Sequence, residues 1–232
     1  MTRLWHQVIG PFKEFGIAAG ALYAVDRSLQ HLSPNLRLLA YELIEQPIVG
    51  RPLLPSGLTK NLTFVEIKPG HPAIESMPAR ADIKASRFAQ GARCLATYRG
   101  DTLLGYIWWC PKRYLEDEVR CDYLLEPAAM SVFDFDLYVM PEHRMSIAFM
   151  AIWHGANQLL HSVGVRHSFS RITLFNQASR RAHLRLGGHR VGCAFFLRLW
   201  TLEWMLATVS PYVGLSWRRS GRMSLKLAPA SQ

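Results

Sequence analysis

The stretch Leu137-Tyr138-Val139-Met140-Pro141-Glu142-His143-Arg144, followed further along by Asn176-Gln177-Ala178-Ser179-Arg180-Arg181-Ala182-His183-Leu184-Arg185-Leu186-Gly187, decides the fold. The first piece reads as the end of a strand running into a turn that opens a helix. The second starts on an asparagine suited to cap a helix and closes on a glycine suited to stop it. Between them Phe149, Ile152, Trp153, Ala156, Leu159, Leu160 and Val163 share one helical face. That spacing predicts a long amphipathic helix over Arg144 to Val163, with a strand from Ser168 to Phe175 after it.

Outward from this block, strands are predicted at Thr63–Ile67, around Arg120–Leu125, at Ser131–Met140 and at Val191–Trp200. Arg93–Tyr98 and Thr102–Trp109 form a hairpin across Arg99-Gly100-Asp101. A helix near Ala79–Gln90 is closed by Gly91. Glu116-Asp117-Glu118 reads as an exposed acidic bend. Residues 1–58 read as a helical arm. Its first helix, Pro11 to His31, carries an apolar stripe at Phe15, Ala18, Leu22, Val25 and Leu29 and stops at Ser33-Pro34. Its second, Asn35 to Glu45, carries Leu36, Leu39 and Leu43 and ends before Gln46-Pro47. The main domain then spans 59–210, and 211–232 is a basic, loosely structured tail. The order is α+β with a mixed, mostly antiparallel sheet flanked by helices.

The two motifs, in this order, resemble the GNAT acyltransferase superfamily. Its pattern is a strand ending in V-x-P-E-x-R, a phosphate-cradling loop, a helix, and then N-x-x-[AS]-x-x-x-[Y]-x-x-x-G. The interval of eleven residues from Asn176 to Gly187 matches, and the likeness covers roughly Thr63 to Arg198. It implies a GNAT-like fold with a helical N-terminal extension, with the strand Ser131–Met140 splaying from Ser168–Phe175 after Leu137. It also implies transfer of an acyl group, acetyl or longer, from acyl-CoA to a small-molecule or peptide amine by direct attack, without a metal. The backbone of Leu137, Tyr138, Val139 and Met140 would pair with the pantetheine arm, and the Val139 or Met140 N–H would face the thioester carbonyl. Arg144, Met145, Ser146, Ile147 and Ala148 would form the pyrophosphate loop. Asn176 and Ser179 would contact the arm. His183 stands where the family places a tyrosine that protonates the thiolate, and histidine can do this near neutrality.

Asp134 and Asp136 alternate with Tyr138 on one face of the central strand. Two carboxylates there are costly unless paired or facing a cleft. Either could be the general base, or both could be structural, held by arginines such as Arg171 or Arg120. The loop departs from the pattern, because no glycine lies between Gly105 and Gly155. Phosphate binding at a helix start needs backbone N–H groups to come close. Met145 and Ser146 should narrow that nest, leaving Arg144, Arg180, Arg181 and Arg185 to surround an anion. Weak, salt-dependent coenzyme A binding is expected. The loss matters less for an acyl-phosphopantetheine on an acidic acyl carrier protein, which brings a single phosphodiester. A function of another class is a catalytically inactive GNAT-like domain that binds a ligand or partner.

Twenty-seven basic against seventeen acidic residues give a net charge of +10, suited to phosphate-bearing or acidic partners. Dispersed arginines and the lack of a recognition-helix pattern argue against nucleic acid. Cys94, Cys110, Cys121 and Cys193 show no C-x-x-C spacing and read as reduced, buried thiols of a cytoplasmic protein. The chain contains no uncharged apolar run of about eighteen residues. Membrane contact is thus expected to be peripheral at most. The arm's stripe should pack on the core or on a second subunit, which leaves a homodimer open.

Overall fold

The structure, a computed structural model, describes residues 17–217 and 221–230, with side chains from residue 20 onward. In chain order the elements are α1 (Ile17–Leu32), β1 (Leu36–Pro47), β2 (Leu62–Ile67), α2 (Ala81–Ala89), β3 (Arg93–Arg99), β4 (Thr102–Pro111), β5 (Arg113–Leu115) and β6 (Cys121–Leu125). They continue with β7 (Ser131–Val139), α3 (Ala148–Ser162), β8 (His167–Thr173), α4 (Gln177–Arg185), β9 (His189–Leu199), β10 (Leu202–Ala207), β11 (Val213–Trp217) and β12 (Met223–Leu227). Nine strands form one sheet in the order β11-β10-β9-β1-β8-β7-β4-β3-β2, and β12-β6-β5 form a second. In the large sheet every pairing is antiparallel except β7 with β8.

β1 corrects the expected second helix. Leu36, Leu39 and Leu43 are spaced for a helix, but Leu36–Pro47 is a strand buried on both faces between β8 and β9. A nearly continuous apolar run does not reveal its period, and the flanking prolines here bound a central strand. The carboxylates within it are compensated. Glu42 is ion-paired with Arg180, and Glu45 lies 2.7 Å from His167 and 3.0 Å from His189. The tail is also more ordered than expected, since β11 pairs with β10 and β12 runs parallel to β6.

α1 leans on β1 through a polar anchor, with Leu22 and Leu29 of the predicted stripe half-buried. The Asp26 carboxylate accepts the Leu38 N–H at 2.9 Å and Arg37 Nε at 3.1 Å, and Tyr23 meets Phe175 edge-on. Val25 faces solvent. Phe15 and residues 11–16 of the predicted helix lie outside the described residues, as does the Ala18 side chain.

The sheet has a core on each face. Tyr41, Trp108, Tyr114, Tyr123, Phe133 and Phe169 pack on the side covered by β5, β6 and β12. Ile107, Trp109, Val132, Ile152, Trp153 and Leu160 pack beneath α3. Each such side chain contributes about 1.5–3 kcal/mol through burial. Gly155 lets α3 approach the sheet, since a Cβ there would strike the Phe64 ring.

Candidate active site

β7 and β8 pair only through Ser131–His167, Val132–Ser168 and Phe133–Phe169. Beyond Phe133, β8 follows β1 to Thr173 while β7 follows β4 to Val139. A fork therefore opens between them, earlier than the expected point after Leu137. A β-bulge accounts for the divergence. Phe135 opposes Trp108 and Tyr138 opposes Tyr106, so Asp136 and Leu137 together face Ile107, and Asp136 has φ +47°. A bulge bends and twists its strand. Gly105 allows β4 to stay close, because a Cβ there would meet the Tyr138 carbonyl oxygen and the Ile152 side chain.

The Met140 N–H donates to Leu104 O at 2.9 Å and is committed to β4. Bonded positions alternate along an antiparallel ladder, so the N–H of Val139, opposite Gly105, faces away from β4 and into the fork. Of the two candidate donors, Val139 keeps the role open to it.

The bulge also separates the two aspartates, correcting the shared face. Phe135 and Tyr138 pack in the core on one side of the sheet, Leu137 and Val139 in the core beneath α3. Asp134, opposite Trp109, lies beneath α3, is 3% exposed, and accepts the Ser168 Oγ–H at 2.6 Å. Burial pushes its carboxyl up to about 7. Asp136 pairs with Arg87, which also reaches Asp117 at 3.0 Å and lies over the Trp108 and Phe135 rings. The expected clamps serve elsewhere: Arg171 holds Glu116, and Arg120 holds Glu203.

Within the acidic bend Asp117 is exposed and Glu118 half-buried, as expected of a surface bend, but Glu116 is buried. Glu116 accepts Arg171 at 2.6 Å and the N–H groups of Glu118 and Val119 at 3.2 and 2.8 Å, and its side chain has no exposed surface. Glu118 accepts the Tyr41 hydroxyl at 2.6 Å. This loop borders an open cleft of about 790 Å³, walled opposite by Arg198, Trp200 and Thr201.

His183 is 3% exposed, with Phe149 and Trp153 edge-on at 5.7 and 5.5 Å and no partner for Nδ1. Burial pushes its pKa down to about 4. Burial thus favours the neutral ring and makes this imidazole a poorer proton donor than an exposed histidine. Trp153 Nε1 and Gln46 Oε1 are likewise buried without partners. Asn176 caps α4, its Oδ1 accepting the Ser179 N–H at 3.1 Å.

α3 begins at Ala148 rather than Arg144, after a 3₁₀ turn over Pro141–His143. Among the described residues, positive φ at non-glycines occurs only at Lys112, Asp136 and Trp200. The loop 141–147 therefore lacks the alternating handedness of an anion nest. Ser146 Oγ donates to His143 O at 2.7 Å and accepts the Ala148 N–H at 3.1 Å, using one amide of the helix start. Ile147 forms the helix N-cap, Met145 is fully exposed, and Arg144 lies over the Tyr138 ring at 5.7 Å. Arg180 is held by Glu42, and Arg181 donates to Gln177 at 2.8 Å. The expected ring of free arginines is reduced accordingly.

No protein-family model matches the chain, and no curated protein matches its sequence. Solved structures do resemble it. A fungal multi-domain GH3 β-N-acetylglucosaminidase with a GCN5-related glucosamine N-acetyltransferase region superposes with a TM-score of 0.50 at 14% identity, over 75% of this chain. The chain has the GNAT fold. It spans 23% of that fungal protein. GCN5-related N-acetyltransferases from Kribbella flavida (TM-score 0.43, 11% identity, 72% of this chain and 61% of that one) and Sphaerobacter thermophilus (0.46, 13%, 78% and 56%) are also similar.

Within this GNAT fold, Leu137, Tyr138, Val139 and Met140 line one arm of the fork, and His183 packs on α3 beside it. Asn176 and Ser179 lie at the start of α4, as a cap pair. Arg87 and Ser168, the partners of Asp136 and Asp134, are not marked by any sequence motif. Only the acidic run at 116–118 carried a signal, and no local pattern distinguishes Arg87.

Two buried titratable groups of this GNAT fold, Asp134 and His183, should oppose each other in solution. Asp134 has its pKa raised from 3.8 to about 7. The folded state thus holds its proton more tightly, and its contribution falls by about 1.4 kcal/mol per unit as pH rises across that range. His183, lowered from 6.5 to about 4, contributes stability that is lost as pH falls through that interval. Urea titrations at several pH values should show Asp134→Asn gaining stability as pH rises from about 4 to 6.5, more steeply than wild type. Superimposable profiles would refute the assignment.

Proposed function

We propose that this chain transfers an acyl group from a thioester, acyl-CoA, to an amine by direct attack. The observation that carries the reading is the fork between β7 and β8, with the Val139 N–H directed into it beside a bulge. A thioester lying along β7 would have its carbonyl oxygen met by that preorganised donor. The amine nitrogen attacks the carbonyl carbon, the C–S bond breaks, and the amide forms. Asp136 takes the proton from the attacking nitrogen, and the sulfur leaves as a thiolate. His183, at the α4 position that the resemblance gives to the acid, is a weak donor as a neutral ring. His183→Ala is therefore expected to lower kcat by about tenfold or less, measured by thiol release. The acceptor enters from the side of the cleft bordered by residues 116–120. Four buried thiols without disulfides support a cytoplasmic setting.

A carrier-protein donor is the second reading, favoured by the loop's lack of a nest. Calorimetry should find coenzyme A binding weak and strongly dependent on ionic strength. Thiol release across a panel of acyl-CoAs and acyl carrier proteins, with and without amines, separates the donors. Release with neither donor class would end the acyltransferase reading.

A further inference from the structure

The β10–β11 hairpin has its alternation reversed. A half-buried antiparallel hairpin normally points apolar residues inward and polar ones to water. Here the buried side carries Glu203, Met205 and Ser216, with Glu203 held by Arg120 and Arg198. The other side carries only apolar residues in three cross-strand rows, Leu202–Trp217, Trp204–Leu215 and Leu206–Val213. Trp204, Leu206, Val213 and Leu215 are 45%, 47%, 58% and 66% exposed. Tyr212 adds an exposed aromatic ring at the turn between the strands. A continuous exposed apolar face of this kind marks a site of interaction rather than ordinary surface.

We propose that this face seats the protein on an anionic lipid surface. Tryptophan and tyrosine suit the headgroup level of a bilayer, where one end of the ring system is apolar and the other wet. In the sequence, Trp217 is followed directly by Arg218 and Arg219, and the whole chain carries a net charge of +10. Basic residues beside an apolar face add attraction to anionic headgroups. A second copy of this chain is the less favoured occupant. It would set two chains of the same positive excess against each other, whereas an anionic surface complements that charge. Among the described residues no helix is long and apolar enough to cross a membrane. The contact is therefore one of lying on the surface, made by strands.

The test uses the full chain with sedimenting vesicles of phosphatidylcholine alone or mixed with phosphatidylglycerol. Binding should be about tenfold or more stronger on the anionic vesicles and should weaken with salt. Trp204→Gln with Leu215→Gln should reduce it by a similar factor without lowering the melting temperature, since both side chains face solvent. As a check independent of any variant, acyl-brominated phosphatidylglycerol should quench the tryptophan fluorescence of the wild type. Absence of binding to anionic vesicles would overturn the proposal. So would equal affinity for both vesicle types, full binding by a folded double variant, or lack of quenching. A lipid-free dimer in sedimentation equilibrium, abolished by the same double variant, would overturn it in favour of self-association.

Discussion

Asp136→Asn should lower kcat by about 10²–10⁴-fold, the usual share of one positioned acid–base group. The bulge turns Asp136 out of the regular alternation and onto the side away from α3, where it meets Arg87. A proton acceptor there lies at the same bend of β7 that directs the Val139 N–H into the fork. The amide is nearly isosteric and still offers an oxygen to Arg87, so donor affinity and melting temperature should change little. That split between kcat and donor KM distinguishes a base from a packing residue. Asp117→Asn, which alters the other partner of Arg87, serves as the control and should cost far less. Wild-type turnover in Asp136→Asn across the pH range would place the base elsewhere.

Arg171→Met should destabilise the fold by about 3–5 kcal/mol, because it leaves a buried carboxylate without its cation. Glu116 has no exposed side-chain surface, and Arg171 is its cationic partner at 2.6 Å. Arg171 also lies over the Tyr41 ring at 4.3 Å and 3.2 Å from Glu118, so several elements lose a common anchor. Adding Glu116→Gln should recover part of the loss, since the stranded charge is removed with it. Urea denaturation of the two variants measures the difference. A single variant within about 1 kcal/mol of wild type would mean that water reaches Glu116 when the arginine is gone.

The segment from β7 to α4 was legible because each element has a local signal: Pro141 after a strand, a long apolar helical face, and an asparagine cap with its glycine stop. The hairpin β3–β4 was legible through Gly100. What escaped was set by tertiary partners. Leu36–Pro47 has helical leucine spacing, yet its neighbours in the sheet come from residues 167–199. Glu116 looks like surface until Arg171, far along the chain, is placed against it. The bulge at Asp136 has no glycine to announce it, so Asp134 and Asp136 were read on one face. His183 lies on α4 as predicted, but its burial against Phe149 and Trp153 depends on partners that the local sequence does not show.

The position of β1 has a consequence for biosynthesis. The strand leaves the ribosome well before both of its neighbours, β8 and β9. The meander β2–β3–β4 can close from local contacts, whereas the middle of the sheet cannot form until β9 has emerged. Throughout that interval LRLLAYELIEQP is an apolar strand with two open edges, the kind of segment that pairs with other chains. Synthesis of this protein should accordingly depend on chaperones that shield this strand, and a truncation before β9 should aggregate rather than fold to a smaller unit.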